Sequence, residues 1–341
     1  MIFRSKAPLR IGLAGGGTDV TPYCDIYGGS ILNATISLYA TTHIEQTETN
    51  TISFFAADRD EYVTINKDDE IVFDGKLDLL KGVYKRIIND YGAINKGLNI
   101  TTSVDAPAGS GLGTSSTLVV SLVGAFVEML KLPLGEYEIA NYAYSIERED
   151  LKLAGGKQDQ YAATFGGINY MEFKKDNHVI VNPLRIKQEY LQELENNLIL
   201  FYTSTSRESA NIIKKQQSNV LSNKNSSIEA MHLLKEQSIQ MKEALLRGNL
   251  DEIGHILDFG FEQKKKMAEN ISNTLIEDIY NTAKMAGASG GKISGAGGGG
   301  FMIFYCPNTT RYNVVKELSK FNGNVKQYNF TKNGLTSWST K

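Results

Sequence analysis

The sequence predicts an α+β protein of two domains, and three observations carry that expectation. Short alternating and β-branched segments crowd the first hundred residues, long helices fill the region after Pro183, and 341 residues at 41% hydrophobic content can bury more than one core. The division is expected between 1–183 and 184–341. In chain order, strands are expected at 8–14, 30–36, 41–46, 51–55, 61–65 and 70–73, each bounded by polar turns. Between Leu77 and Tyr91 the apolar residues Leu79, Leu80, Val83, Tyr84, Ile87 and Ile88 return at helical spacing, and 98–104 reads as the next strand. A Gly/Ser turn then leads to an apolar helix at 115–131, a second at 134–151, a third after Gly155-Gly156, and a strand at 168–173. Beyond Pro183, helices are expected at 209–222, 226–247, 250–271 and 273–286. A glycine-rich block, a strand at 301–306, a helix at 311–321 and a last strand near 326–330 complete the chain. No repeat of solenoid or propeller period is present.

Composition excludes several classes of function. Thirty-six basic and 38 acidic residues leave a formal charge of −2, so no broad field draws nucleic acid or an anionic membrane surface. Cys24 and Cys306 are too few and too distant for a disulfide framework or a zinc site. The most apolar run, Thr117 to Leu130, is interrupted by Ser121, Gly124 and Glu128, and the N-terminus has no signal-peptide core. The expectation is a cytoplasmic protein that binds neither nucleic acid nor membrane. His43, His178, His232 and His255 show no metal-ligand spacing, and Lys264-Lys265-Lys266 reads as a solvated helix face.

The anomaly is 32 glycines against 6 prolines, gathered in three blocks. The middle block, Pro107 to Ser116, lies between an expected strand and the most apolar helix. There, glycines let backbone N–H groups face an anion, the helix end adds donors and positive dipole, and Thr114 to Ser116 add hydroxyls. An ordinary turn capped by Ser or Thr fits the same residues. The last block, Lys292 to Gly300, contains a GxGxxG, but a helix is expected before it and a strand after it. A dinucleotide fingerprint requires the reverse. Five glycines in six positions suit a place where another group approaches the backbone closely. The first block, Ala7 to Asp19, sets Arg10 on a strand before a glycine turn that carries Asp19. Arg10 can polarise a phosphate and Asp19 can grip hydroxyls; taken singly, an edge-strand Arg and a turn-capping Asp are the simpler account of each.

Together, in this order and spacing, the blocks resemble the three signature motifs of the GHMP kinase superfamily, which includes galactokinase and the homoserine, mevalonate and phosphomevalonate kinases. The resemblance spans about residues 4–306. Leu9 to Asp19 and Gly155 to Gly167 are similar to its sugar 1-kinase branch. What this implies is an N-terminal domain like ribosomal protein S5 domain 2 and a ferredoxin-like C-terminal domain, with ATP and substrate in the cleft between them. The implied reaction is phosphorylation of the anomeric hydroxyl of D-glycero-D-manno-heptose 7-phosphate. An L-fucose or other hexose 1-kinase is the alternative inside the superfamily, and a dinucleotide-binding oxidoreductase the alternative outside it.

The resemblance also assigns residues. Pro107, Gly109, Ser110, Gly111, Leu112, Gly113, Thr114, Ser115 and Ser116 would wrap the ATP phosphates. Ser115 and Glu147 would hold Mg²⁺, which keeps waters and phosphate oxygens and so needs few protein ligands. Glu149 is a poorer ligand because helical rotation sends it to another face. Asp159 would take the proton of the acceptor hydroxyl, with Arg10 beside it. Gly16, Gly17, Thr18 and Asp19 would meet the sugar, although galactokinases have Glu-His-Thr-Asp where this chain has Gly16-Gly17-Thr18-Asp19, which argues against galactose. Lys292 to Gly300 would close the site beside the phosphates and the substrate cleft, with Gly297 and Gly298, and Gly156 from the earlier turn, on the substrate side. Lys157 and Arg207, the latter in the capping box Thr205 to Glu208, are the candidates for a distal phosphate. A homodimer is an open alternative for the assembly.

Overall fold

Residues 1–205 and 209–340 are described by a computed structural model of the chain. The α+β expectation holds, as two sheets with helices packed on both. β1 (Ile2–Ala14), β2 (Gly29–Thr47), β3 (Thr51–Ala56), β4 (Glu61–Asn66), β5 (Gly97–Val104), β6 (Ile168–Phe173) and β7 (Val179–Pro183) belong to the first sheet. Its helices are α1 (Tyr23–Tyr27), α2 (Asp78–Tyr91), α3 (Thr114–Leu130), α4 (Glu136–Ser145) and α5 (Gln158–Phe165). After α6 (Gln188–Asn197) comes β8 (Leu198–Tyr202), then α7 (Ser209–Leu221), α8 (Asn225–Arg247), α9 (Glu252–Met267) and α10 (Thr274–Met285). β9 (Gly290–Ile293), β10 (Phe301–Tyr305), α11 (Arg311–Leu318), β11 (Asn324–Lys326) and β12 (Thr336–Thr340) finish the chain.

The second sheet runs β11-β8-β10-β9 and its paired neighbours are antiparallel. In chain order this is 4-1-3-2, the arrangement expected of a ferredoxin-like domain. β8 and β10 read as unbroken apolar runs because both faces are covered. Ile199, Phe201, Met302 and Phe304 pack among the C-terminal helices, while Leu198, Leu200, Phe301 and Ile303 pack against Leu9, Ile11 and Leu13 of β1. This second core joins the two sheets. β12, from the end of the chain, pairs with β1 of the first sheet.

Four expectations need correction. Residues 30–36 and 41–46 are one 19-residue strand, because the first half of β2 pairs with β6 and the second half with β5. Residues 70–73 are not a strand; the carbonyls of Ile71 and Val72 accept bonds from the Lys85 and Lys81 ammoniums instead of a ladder. The helix expected at 134–151 widens after Ser145 into a π turn, Ile146–Asp150. The strand near 326–330 ends at Lys326, and Phe330 makes only an isolated bridge to Ile36. β8, β9 and β12 carry too little alternation, or too much glycine, to be read in advance, and β7 and the short helix α6 are likewise additions of the structure. Among the described residues no helix is long and apolar enough to cross a membrane.

Candidate active site

β1 is buried along most of its length, and its pairing with β2 shifts register between Pro8 and Arg10 and again between Gly12 and Ala14. Such irregularities re-aim side chains. Arg10, 4% exposed, is thereby brought to Asp159 in the first turn of α5. Its Nε and Nη2 each lie 2.7 Å from Asp159 Oδ1, and Nη1 donates to the carbonyl of Gly111 at 2.6 Å. Gln158 Nε2 adds a third bond to Oδ1 at 3.1 Å. Oδ2, in contrast, faces Gly113, where a Cβ would stand 3.1 Å away. One carboxylate oxygen is thus anchored and the other is turned to the glycine loop.

That loop leads directly into α3. Gly113, at φ 78°, occupies the N-cap position and offers no side chain to the helix end, so the Ser/Thr-capped turn is not what forms. Thr114, Ser115 and Ser116 all line a cleft of about 290 Å³, together with Gly109, Gly111 and Gly113. Pro107 is exposed, Leu112 is buried in the core and Ser110 is buried, none of them in the lining; they shape the loop rather than face the cleft. The last glycine block is the hairpin between β9 and β10, so its GxGxxG opens no helix and the dinucleotide fingerprint is absent. Its glycines permit close approach: a Cβ on Gly295 would lie 2.6 Å from Gly111 Cα, and one on Gly300 2.4 Å from the carbonyl of Ser110.

Glu147 sits in the π turn, 1% exposed, with Oε2 accepting from Gln160 Nε2 at 2.5 Å. The same amide nitrogen lies 3.1 Å from Ser116 Oγ, tying the carboxylate to the first turn of α3. Glu147 and the exposed Ser115 face one cleft, while Glu149 is exposed outside it. The donor set, one carboxylate and one hydroxyl beside a glycine loop, fits a hydrated Mg²⁺.

Asp19 is 5% exposed and reaches across to the start of α5, where Oδ2 accepts from the Gln158 N–H at 2.9 Å. A Cβ on Gly156 would stand 1.9 Å from that oxygen. Burial raises the Asp19 carboxyl above its ordinary value; the Gln158 N–H opposes the rise, the Asp159 charge adds to it and Arg10 opposes it. A carboxylate with a raised folded pKa binds its proton more tightly in the folded state, so its ionisation removes stability as pH climbs from the ordinary range. Asp19→Asn is therefore expected to raise the melting temperature, by more near about pH 7 than near about pH 4, while weakening acceptor binding. An equal gain at both pH values in calorimetry would show that Asp19 is not a strained carboxylate.

Of the other expected residues, Gly16, Gly17 and Gly156 line the cleft. Thr18 instead turns inward, donating to the carbonyls of Gly15 and Ser30, and Gly297 and Gly298 pack on Ile271 behind the lining. Lys157 is a correction: its ammonium runs away from the cleft to Asp25, 3.2 Å away, over the Tyr144 ring. Arg207 lies outside the described residues. Lys264 is a second correction, because only its neighbour Lys266 is exposed; Lys264 itself is buried in the lining, and so is Lys292. The available signal was the helical spacing of Leu257, Phe261 and Lys264, which puts Lys264 on the buried stripe of α9. Arg148, Gln158 and Gln216 also line the cleft and carried no sequence signal.

Comparisons with known proteins identify the family. The family model for the GHMP kinases N terminal domain matches residues 78–167, and that for the GHMP kinases C terminal matches 241–324. A D-glycero-alpha-D-manno-heptose 7-phosphate kinase of Campylobacter jejuni is 48% identical over 98% of both chains. The crystal structure of a D-glycero-D-manno-heptose 1-phosphate kinase from Bacteroides thetaiotaomicron superposes with a TM-score of 0.85 at 46% identity, covering 99% of each chain. A galactokinase of Lactococcus lactis shares the fold, with a TM-score of 0.77 at 16% identity over 98% of this chain and 95% of its own. On these matches, the chain belongs to the GHMP kinases.

Proposed function

We propose that this kinase transfers the γ-phosphoryl of ATP to the anomeric hydroxyl of D-glycero-D-manno-heptose 7-phosphate. The observation that carries phosphoryl transfer is the Arg10 bridge, which ties the anchored oxygen of Asp159 to the carbonyl of Gly111 in the glycine loop. Phosphoryl transfer through a loose transition state needs alignment and charge neutralisation more than covalent chemistry. Asp159 Oδ2 accepts the proton of the attacking hydroxyl while Arg10 holds the carboxylate in place. The N–H groups of the loop and of the first turn of α3 cradle the phosphates. Ser115 and Glu147 hold Mg²⁺, whose charge, when bound, neutralises phosphate oxygens. Asp19, fixed by Gln158 N–H, orients sugar hydroxyls.

Support for the acceptor comes from the two heptose kinases, whose names agree on heptose and differ in the position of the phosphate, 7 in one and 1 in the other. ATP consumption with Mg²⁺ across sugars and sugar phosphates, with phosphorus NMR on the product, separates the readings. A new anomeric phosphate on the heptose 7-phosphate supports this proposal. A new phosphate at C7, or turnover of a free hexose alone, rejects it. Ser115→Ala combined with Glu147→Gln is expected to raise the Mg²⁺ concentration for half-maximal rate by about tenfold or more, in line with losses seen for weakened metal sites. An unchanged Mg²⁺ titration would remove both residues from the metal site.

A further inference from the structure

The side chains of two buried lysines in the cleft have no role in the transfer scheme above. Lys264, from α9, and Lys292, from β9, are each 5% exposed, yet both line the cleft. Their ammoniums converge: they stand 3.8 and 3.9 Å from the point a Cβ on Gly16 would occupy. Lys264 Nζ donates to the carbonyl of Gly295, and Lys292 Nζ to that of Gly12 at 2.8 Å. An ammonium has three N–H donors. Among the described residues these two carbonyls are the hydrogen-bond partners, so two donors on each side chain are left for the cleft.

The surrounding charge is positive. Arg10 is close enough to disfavour protonation of both lysines, and Lys264 disfavours it on Lys292. Burial is the larger effect: it pushes the Lys264 ammonium down to about 8 and that of Lys292 well below the usual lysine range. Asp19 favours protonation of Lys264 and partly offsets these effects, but neither lysine is hydrogen-bonded to a carboxylate: Asp159 Oδ1 is bonded to Arg10 and Asp19 Oδ2 to the Gln158 N–H. Keeping both of these buried lysines protonated is costly unless an anion arrives to meet them. A phosphate group brings up to two charges and several acceptor oxygens, matching the open donors.

We propose that Lys264 and Lys292 form a two-lysine phosphate subsite, built from different residues than the glycine loop. This rests on the kinase reading above, under which two phosphates enter the cleft: the ester already on the acceptor and the γ-phosphoryl of ATP. Both present the same chemistry, and kinetics tells them apart.

The experiment compares Lys264→Met, Lys292→Met and the double variant with wild type, on heptose 7-phosphate and on the same heptose without its phosphate. If the subsite holds the acceptor ester, KM for heptose 7-phosphate rises at least about tenfold while KM for ATP and turnover of the unphosphorylated heptose stay put. If it holds the γ-phosphoryl, kcat falls at least about tenfold on both acceptors at unchanged sugar KM. Kinetic constants all within about twofold of wild type overturn the subsite. Methionine removes a buried charge at similar volume, so the variants are expected to melt no lower than wild type without ligand. Loss of activity accompanied by a lower melting temperature would make the lysines structural and overturn the proposal. Should wild type turn over neither acceptor, the substrate reading fails by itself. Inorganic phosphate then decides the subsite: it must raise the melting temperature of wild type more than that of the double variant, and equal shifts reject it.

Discussion

Asp159→Asn is expected to lower kcat by about 10²- to 10⁴-fold while leaving KM for ATP within about threefold. The substitution is informative because of how the carboxylate is held. Three donors, two from Arg10 and one from Gln158, converge on Oδ1, and an asparagine oxygen accepts the same bonds. The amide nitrogen then replaces Oδ2, which faces Gly113 and the loop. Geometry and the Arg10 bridge survive, and only the proton acceptor is lost. The contrasting variant is Arg10→Met, which releases both Asp159 and the Gly111 carbonyl and is expected to change kcat and KM for ATP together. Steady-state kinetics on the two variants checks the pair. Near-normal turnover of Asp159→Asn would remove this carboxylate from the chemistry.

Gly156→Ala is expected to raise KM for the sugar by about 10- to 100-fold and to cost about 1–3 kcal/mol of stability, the usual penalty for inserting a methyl into a packed site. The added Cβ would lie 1.9 Å from Asp19 Oδ2 and 2.4 Å from its Cγ, closer than any real contact. Aspartate is too short to bend away while keeping its bond to the Gln158 N–H, 2.9 Å long. The carboxylate must leave its place. Gly156 does not require an unusual backbone angle, so space is the whole of the requirement. A double-mutant cycle with Asp19→Ala isolates this effect, because the alanine at 156 should cost much less once the carboxylate is gone. Equal costs on both backgrounds would show that the clash is not with Asp19.

The legible parts of this protein are those written as local patterns. Helical spacing from Leu77 to Tyr91 marks α2, and the long apolar and polar periods after residue 209 mark α7 to α10, because a helix repeats its environment within a few residues. The three glycine blocks are legible because glycine is costly in regular structure and persists where backbones must approach; Gly295 against Gly111 is such a place. Strands buried on both faces are harder. β8 reads Leu-Ile-Leu-Phe-Tyr, with no alternation, since two cores need apolar groups on both sides.

The sequence by itself determines the α+β class, the order of most elements, the glycine loop before α3 and the shared possession of Arg10, Asp19, Glu147 and Asp159. Only the tertiary structure decides what these residues touch. Arg10 and Asp159 are 149 positions apart and meet because α5 packs against β1 of the first sheet. Lys157, adjacent to the site in sequence, points away to Asp25, while Lys264, which looks like one of three solvated lysines, is buried beside Gly295. The physical reason is that burial is a property of the assembled surface: two sheets joined through a common core enclose a cleft that no stretch of chain encloses alone.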